Sequence, residues 1–220
     1  MRILLVEDDA MLGESLERAL RDRGMSVDWT RDGDSAQSAL ERHAYSLSLL
    51  DLGLPGRSGL EVLQHARKIG LHTPFIVITA RDSRASVVAS LDLGADDYVT
   101  KPFEVEELAA RMRAVIRRHD GHAASIITNG EITLDVASHE AAYRGVTHAL
   151  SAKEFALLHA LLQRPGAILS RTQLEERLYG WNEPVASNAV EVLIHYLRRK
   201  FGQDIIRNVR GVGWLVGKRT

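Results

Sequence analysis

Short β-branched or leucine-rich runs alternate with segments of helical period through the first half of the chain. The pattern predicts strands over residues 2–6, 26–30, 46–51, 74–79 and 96–100, and helices over 9–23, 34–43, 59–69, 84–93 and 104–118. Five such strand–helix units fold as an α/β layer structure, a doubly wound five-stranded parallel sheet with helices on both faces. Leu16, Ala19 and Leu20 mark the buried stripe of the first helix, and Leu108, Met112, Val115 and Ile116 that of the last. Gly24 stops the first helix, and Pro74 precedes the fourth strand.

The pattern breaks after Arg117-Arg118. His119 to Ser125 is small and polar without periodicity, a linker. From Ile126 onward Ile132-Thr133-Leu134-Asp135 and Ala142-Tyr143-Arg144-Gly145 predict a small antiparallel sheet. Ser151-Ala152-Lys153-Glu154 and Ser170-Arg171-Thr172-Gln173 are capping boxes, each opening a helix. A third helix, capped by Ser187 or Asn188, runs through Phe201, and two strands joined through Arg210-Gly211-Val212 close the chain. Three helices followed by a hairpin make a C-terminal winged helix-turn-helix. The expected organisation is therefore domain 1–118, linker 119–125 and domain 126–220.

Composition adds four constraints. The 220 residues, 45% hydrophobic and 26% charged, leave room for two small domains. No apolar stretch of about 18 residues and no basic-then-apolar leader is present, so no membrane partner and a cytoplasmic location are expected. The absence of cysteine excludes disulfides and thiolate metal sites, and the nine histidines show no metal-ligand spacing. Residues 1–125 hold 16 Lys and Arg against 20 Asp and Glu, a balance of −4, whereas 126–220 hold 12 against 9, a balance of +3. The mildly basic second half makes an anionic polymer a candidate partner.

Candidate chemistry lies at four predicted strand ends: Glu7-Asp8, Asp51, Thr79 and Lys101. In an open parallel sheet these ends converge on one crevice. Three acids, a hydroxyl and a lysine there suit phosphoryl transfer with a divalent metal. Asp51 is the expected acceptor, since a dication can neutralise both a carboxylate and an incoming phosphate. Magnesium prefers oxygen ligands and keeps several waters, so Asp8 and Asp51 are expected to bind it directly, Glu7 through water and Gly53 by its carbonyl. Lys101 and Thr79 are expected to meet phosphoryl oxygens. A haloacid-dehalogenase-type phosphatase would need a second acid two residues after the nucleophile, where this chain has Gly53. A factor that keeps the first domain only for dimerisation is a further alternative.

These residues carry a resemblance. Val6-Glu7-Asp8-Asp9, Asp51-Leu52-Gly53-Leu54-Pro55, Thr79-Ala80-Arg81, Gly94 to Tyr98 and Lys101-Pro102-Phe103 resemble the receiver domain of two-component response regulators. Leu197-Arg198-Arg199-Lys200 and Arg210 to Trp214 resemble the winged-helix output domain of the OmpR/PhoB family, with a texture similar to PmrA- and QseB-like members. The resemblance implies that a sensor histidine kinase phosphorylates Asp51, that Thr79 and Tyr98 act as switch residues, and that the acyl phosphate hydrolyses slowly in place. It implies no other enzymatic activity. It also implies a homodimer on activation, through Asp96, Asp97, Glu107, Arg111, Arg113 and Arg118. Val87 stands where a basic partner for Glu107 is usual. By family position, the loop from Tyr179 to Ser187, with Trp181, is expected to meet RNA polymerase.

In the last helix Val190, Ile194, Leu197 and Phe201 share one face, predicted to be the core side. Asn188, Glu191, His195, Arg198 and Arg199 are then expected to face double-stranded DNA, with Arg207 and Arg210 near the wing. Activated dimers would engage tandem half-sites. Leu193 and Tyr196 depart from the family, which often has histidine and a basic residue there, and this shifts the expected affinity toward His195, Arg198, Arg199 and the wing.

Overall fold

The computed structural model describes residues 1–80, 84–119, 126–136, 138–181 and 183–218. The chain divides into two compact units, with the boundary after His119.

The first unit runs β1 (Arg2–Val6), α1 (Ala10–Asp22), β2 (Ser26–Thr30), α2 (Gly33–Arg42), β3 (Leu47–Asp51), α3 (Gly59–Lys68), β4 (Phe75–Ala80), α4 (Arg84–Asp92), β5 (Asp97–Lys101) and α5 (Val105–His119). Its five strands are parallel in the order β2-β1-β3-β4-β5. Every residue of β1 and β3 is buried, as expected of strands covered on both faces. Leu4 and Val6 pack with Ala36, Ala39 and Leu40 of α2 and with Val62, Leu63 and Ala66 of α3. The alternate residues Ile3 and Leu5 point to the opposite face. Side chains start the helices: Asp9 caps α1, Asp32 caps α2, and Ser58 with Glu61 forms a capping box on α3.

Sheet register aligns the chemistry. Val6 lies beside Leu50, Asp51 beside Ile78, and Thr79 beside Thr100, so Glu7, Asp51, Thr79 and Lys101 all emerge at one edge of the sheet. This edge includes the point between β1 and β3 where the strand order reverses, where open α/β sheets bind ligands. Gly59 permits the tight return after β3, because a Cβ there would lie 2.1 Å from the Asp51 carbonyl oxygen.

The second unit carries an antiparallel sheet in the order β6 (Ile126–Thr128), β7 (Ile132–Asp135), β8 (Glu140–Tyr143), β9 (Val146–Ala149). Helices α6 (Ala152–Leu162), α7 (Arg171–Leu178) and α8 (Ala189–Phe201) follow, then the hairpin β10 (Arg207–Val209) and β11 (Gly213–Leu215). This is a winged helix-turn-helix preceded by a small sheet. Both capping boxes form, at Ser151/Glu154 and Ser170/Gln173. The core gathers Phe155, Leu158 and Leu161 of α6, Leu174 and Leu178 of α7, and Val190, Ile194, Leu197 and Phe201 of α8. Paired backbone bonds of 2.9 Å between Leu169 and Trp214 join the hairpin to the chain just before α7.

Three expectations need adjustment. The strand expected over Ala142 to Gly145 begins and ends two residues earlier, because Arg144 (φ 50°) and Gly145 (φ 79°) turn the hairpin between β8 and β9. Asn188 occupies the cap position of α8 without a side-chain capping bond. His119 closes α5, its ring Nε2 meeting the His72 carbonyl at 2.5 Å, so it belongs to the helix. The remainder of the expected linker, 120–125, lies outside the described residues, as does Arg81. Ser48, in the central strand, keeps a buried hydroxyl without a hydrogen-bond partner among the described residues. Among those residues no helix is long and apolar enough to cross a membrane.

Candidate functional site

At the strand-end crevice the Lys101 ammonium donates to Asp51 Oδ2 at 2.5 Å and to Glu7 Oε1 at 2.8 Å. The other Asp51 oxygen accepts from the Gly53 amide at 2.8 Å, which fixes the carboxylate over the turn that follows β3. Glu7 is completely buried, Asp51 nearly so, and Asp8 lies at the rim. One oxygen from each of Glu7, Asp8 and Asp51 falls within 4.8 Å of the others. The sequence-predicted acids and lysine therefore meet in space. Thr79 is buried at the end of β4, with its hydroxyl 3.5 Å from the Ala80 carbonyl.

The electrostatics are those of a site short of positive charge. Loss of hydration, reinforced by the Asp51 charge and opposed by Lys101, pushes the Glu7 carboxyl up to about 7. Burial works against the Lys101 ammonium, yet its bonds to Asp51 and Glu7 prevail and hold it above the ordinary lysine value. Glu7 Oε2 is buried with no hydrogen-bond partner among the described residues. An orphaned carboxylate oxygen beside two further carboxylates is an all-oxygen donor set that fits Mg2+, a small hard cation.

The residues expected at a dimer face lie on β5 and α5 and just before them. Asp96 is engaged within the unit: its carboxylate accepts from the Phe75 amide at 2.9 Å and from Arg67 at 3.3 Å. Arg118 donates to the Asp96 carbonyl at 3.4 Å. Glu107, whose customary partner position is Val87, instead pairs along its own helix with Arg111 at 2.8 Å, and Arg111 also reaches Asp97 at 3.2 Å. Arg113 is half-buried on α5. Val88 and Leu91 of α4 and Tyr98 of β5 are exposed apolar groups, and Tyr98 is 38% accessible.

On α8 the predicted core face is buried as expected. Asn188, His195 and Arg199 are exposed on the other side, as are Arg207 and Arg210 of the hairpin. Val192 and Tyr196 join them, so the outward stripe reads Asn188, Val192, His195, Tyr196, Arg199 at helical spacing. Tyr196 and Val192 were legible as outward from their phase against Val190 and Ile194, although an apolar side chain gives no charge signal. Glu191 is half-buried and paired with Arg171, which also donates to the Ser187 carbonyl. Arg198 departs from the expected outward orientation: it is half-buried, and its Nε and Nη2 donate to the Ile206 carbonyl at 3.1 and 2.7 Å. Trp181, in the loop after α7, is exposed.

Comparison with known proteins agrees with both units. Residues 3–113 match the response regulator receiver domain, and residues 145–216 match the C-terminal domain of transcriptional regulatory proteins. The chain is 50% identical over 214 residues to the response regulator protein PmrA of Pseudomonas aeruginosa, covering 97% of each chain. It is 44% identical over 219 residues to the transcriptional regulatory protein QseB of Escherichia coli O157:H7, covering 100% of each. The beryllofluoride-activated N-terminal receiver domain of RstA from Klebsiella pneumoniae superposes with a TM-score of 0.51 at 32% identity, over 53% of this chain and 99% of that one. With a parallel-sheet receiver that gathers three acids and a lysine, followed in sequence by a winged-helix output unit, the chain belongs to the OmpR/PhoB family of two-component response regulators, a DNA-binding transcriptional regulator close to PmrA and QseB.

Proposed function

We propose that Asp51 accepts a phosphoryl group from a sensor histidine kinase, and that the modified chain dimerises and binds operator DNA. The observation that carries this reading is the Lys101 ammonium bridging Asp51 and Glu7 at the mouth of a three-carboxylate cluster. In the transfer, the bond from phosphorus to the kinase imidazole nitrogen breaks as a bond to an Asp51 oxygen forms. Glu7, Asp8 and Asp51, with the Gly53 carbonyl, would hold Mg2+, which when bound offsets the charge of the acids and of the incoming phosphate. Gly53 orients the Asp51 carboxylate through its amide. Lys101 is placed to leave Glu7 and follow the phosphoryl oxygens, and Thr79 supplies a hydroxyl to another. Water reaches the half-open site and slowly restores Asp51, and no external substrate is turned over.

Thr79 and Tyr98 serve as the switch. Register places Val77 beside Tyr98 and Thr79 beside Thr100, so a movement of the Thr79 hydroxyl toward a phosphoryl group is transmitted along β4 and β5 to the exposed Tyr98 ring. The dimer then forms over α4, β5 and α5, where Asp97, Glu107 and Arg111 exchange their present partners for those of a second copy, with Asp96, Arg113 and Arg118 at the margin. Exposed Val88 and Leu91 supply apolar area.

The outward stripe of α8 lies in the major groove of double-stranded DNA, with Asn188, His195 and Arg199 toward bases and phosphates, Glu191 at its flank beside Arg171, and Arg207 and Arg210 along the wing. Two copies occupy tandem half-sites about one helical turn apart. The loop carrying Trp181 meets RNA polymerase in the cytoplasm. Light scattering with Mg2+ and beryllofluoride, a stand-in for the acyl phosphate, tests the reading. The mass doubles in the native chain and stays monomeric in Asp51→Ala; an unchanged native mass, or doubling in the variant, overturns it.

A further inference from the structure

The backbone that carries the acids is gripped from β2. Trp29 Nε1 donates to the Glu7 carbonyl at 2.8 Å. Arg31, just past the strand, donates to the next carbonyl, that of Asp8, through Nε at 3.2 Å and Nη2 at 2.8 Å. The Glu7 amide in turn donates to the Thr30 carbonyl at 3.1 Å. The indole is fixed from its other side by α1, where a Cβ on Gly13 would fall 2.1 Å from Trp29 Cζ2. Asp9 locks the far end of the segment by accepting from the Met11 and Leu12 amides at 2.9 and 3.1 Å. Three consecutive residues are thus held by groups that contribute no carboxylate to the site.

We infer that Trp29 and Arg31 are positioning residues that set the affinity of the acidic cluster for its divalent cation, by fixing the backbone from which the Glu7 and Asp8 carboxylates project. Outer-shell partners that orient ligands change metal affinity by about 10- to 100-fold when removed. The grip matters here because Glu7 is fully buried and Lys101 holds only one of its two oxygens, so the backbone helps to set where the orphaned one points. Arg31 gives the inference a sign. Its charge alone would repel a cation, so deleting it would tighten binding if charge were its only contribution, and would weaken binding if the grip dominates. The inference rests on the reading of Glu7, Asp8 and Asp51 as a Mg2+ site.

Electron paramagnetic resonance of free Mn2+, with Mg2+ as competitor, measures affinity in the full chain without phosphodonor, and thermal unfolding reports folding. Trp29→Phe, which keeps the ring and loses the N–H, is expected to weaken Mg2+ binding by about tenfold at temperatures well below its melting point. Arg31→Ala is expected to weaken it severalfold, and Arg31→Gln, which retains a donor without charge, to recover most of that loss. Folded variants with affinities within twofold of the native chain, or tighter binding in Arg31→Ala, overturn the inference. If Trp29→Phe does not fold, the exposed Arg31 pair decides. A native chain that binds no Mn2+ or Mg2+ removes the site reading itself, a result separate from equal binding by all chains.

Discussion

Arg198 of α8 is bound by its guanidinium to the Ile206 carbonyl through two hydrogen bonds of 3.1 and 2.7 Å, tying the last helix to the residue that leads into the wing. Arg198→Ala therefore acts on the frame of the output unit. Loss of a charged donor to a buried carbonyl costs about 1.5 to 3 kcal/mol. The variant is expected to lose about that much stability in urea, and to bind all operator sequences more weakly in the same proportion. Asn188→Ala, on the exposed stripe, is expected instead to relax preference at one base pair with stability unchanged. Binding to a set of single-base operator variants separates the two patterns. Altered preference at one position in a fully stable Arg198→Ala would show that the side chain reads a base.

Lys101 competes with any cation for the same two carboxylates, Asp51 and Glu7. Two unit charges about 4 Å apart interact by about 4 kcal/mol at an effective dielectric near 20, and partial exposure of the ammonium reduces that. Lys101→Met is expected to bind Mg2+ about tenfold more tightly yet to fail to dimerise with beryllofluoride, because no ammonium then follows the phosphoryl oxygens. Calorimetric titration and light scattering on one preparation check both halves. Weaker Mg2+ binding would mean that Lys101 organises the acids more than it competes with the metal.

Glu7 makes the metal-free receiver sensitive to pH. Its carboxyl is pushed up from 4.5 to about 7, mainly by loss of hydration, so the fold favours the protonated form. The stability contributed by that proton is complete below the unfolded value of 4.5 and is lost as pH rises through about 7. Glu7→Gln carries no such proton. In EDTA its stability relative to the native chain is expected to grow by about 1 to 3 kcal/mol between pH 5 and pH 8, while its Mg2+ affinity falls. Urea denaturation across that range is the measurement, and parallel curves for the two chains would exclude the buried carboxyl as the cause.

The strand ends were readable because each apolar run stops at a polar residue of definite chemistry, and sheet topology does the rest: Glu7, Asp51 and Lys101 lie far apart in sequence yet meet once the strands are ordered. The buried face of α8 followed from spacing alone. What sequence did not reveal depends on where backbone carbonyls come to rest. Arg198 has the phase of a flanking residue on α8, and only the reversal at Gly202 (φ 98°) brings the Ile206 carbonyl to it. Trp29 reads as a strand aromatic, and nothing in its neighbours announces a bond to Glu7. Asp96 and Asp97 are adjacent acids with the same local pattern, and tertiary contacts alone distinguish them.

Asp96 and Asp97 accordingly differ in what each holds together. The Asp96 carboxylate receives the Phe75 amide at 2.9 Å and Arg67 at 3.3 Å, and the Arg67 guanidinium lies over the Phe75 ring with its carbon 5.0 Å from the centroid. Arg67 also donates to the carbonyls of Leu71, Thr73 and Gly94, so Asp96 completes a cluster that closes the entry to β4. Removing it strands a strand-end amide and a half-buried cation, at a cost of about 1 to 3 kcal/mol. Among the described residues Asp97 meets Arg111 and its own neighbour's amide near the surface, where an ion pair is worth about 0 to 1 kcal/mol. Asp97→Ala is therefore expected to leave unfolding nearly unchanged and to weaken beryllofluoride-induced dimerisation, whereas Asp96→Ala lowers stability first and dimerisation with it. Denaturation curves paired with light scattering over a concentration series distinguish them. Equal stability loss in the two variants would place Asp97 in the frame of the receiver, and a fully stable Asp96→Ala that dimerises poorly would return Asp96 to the interface.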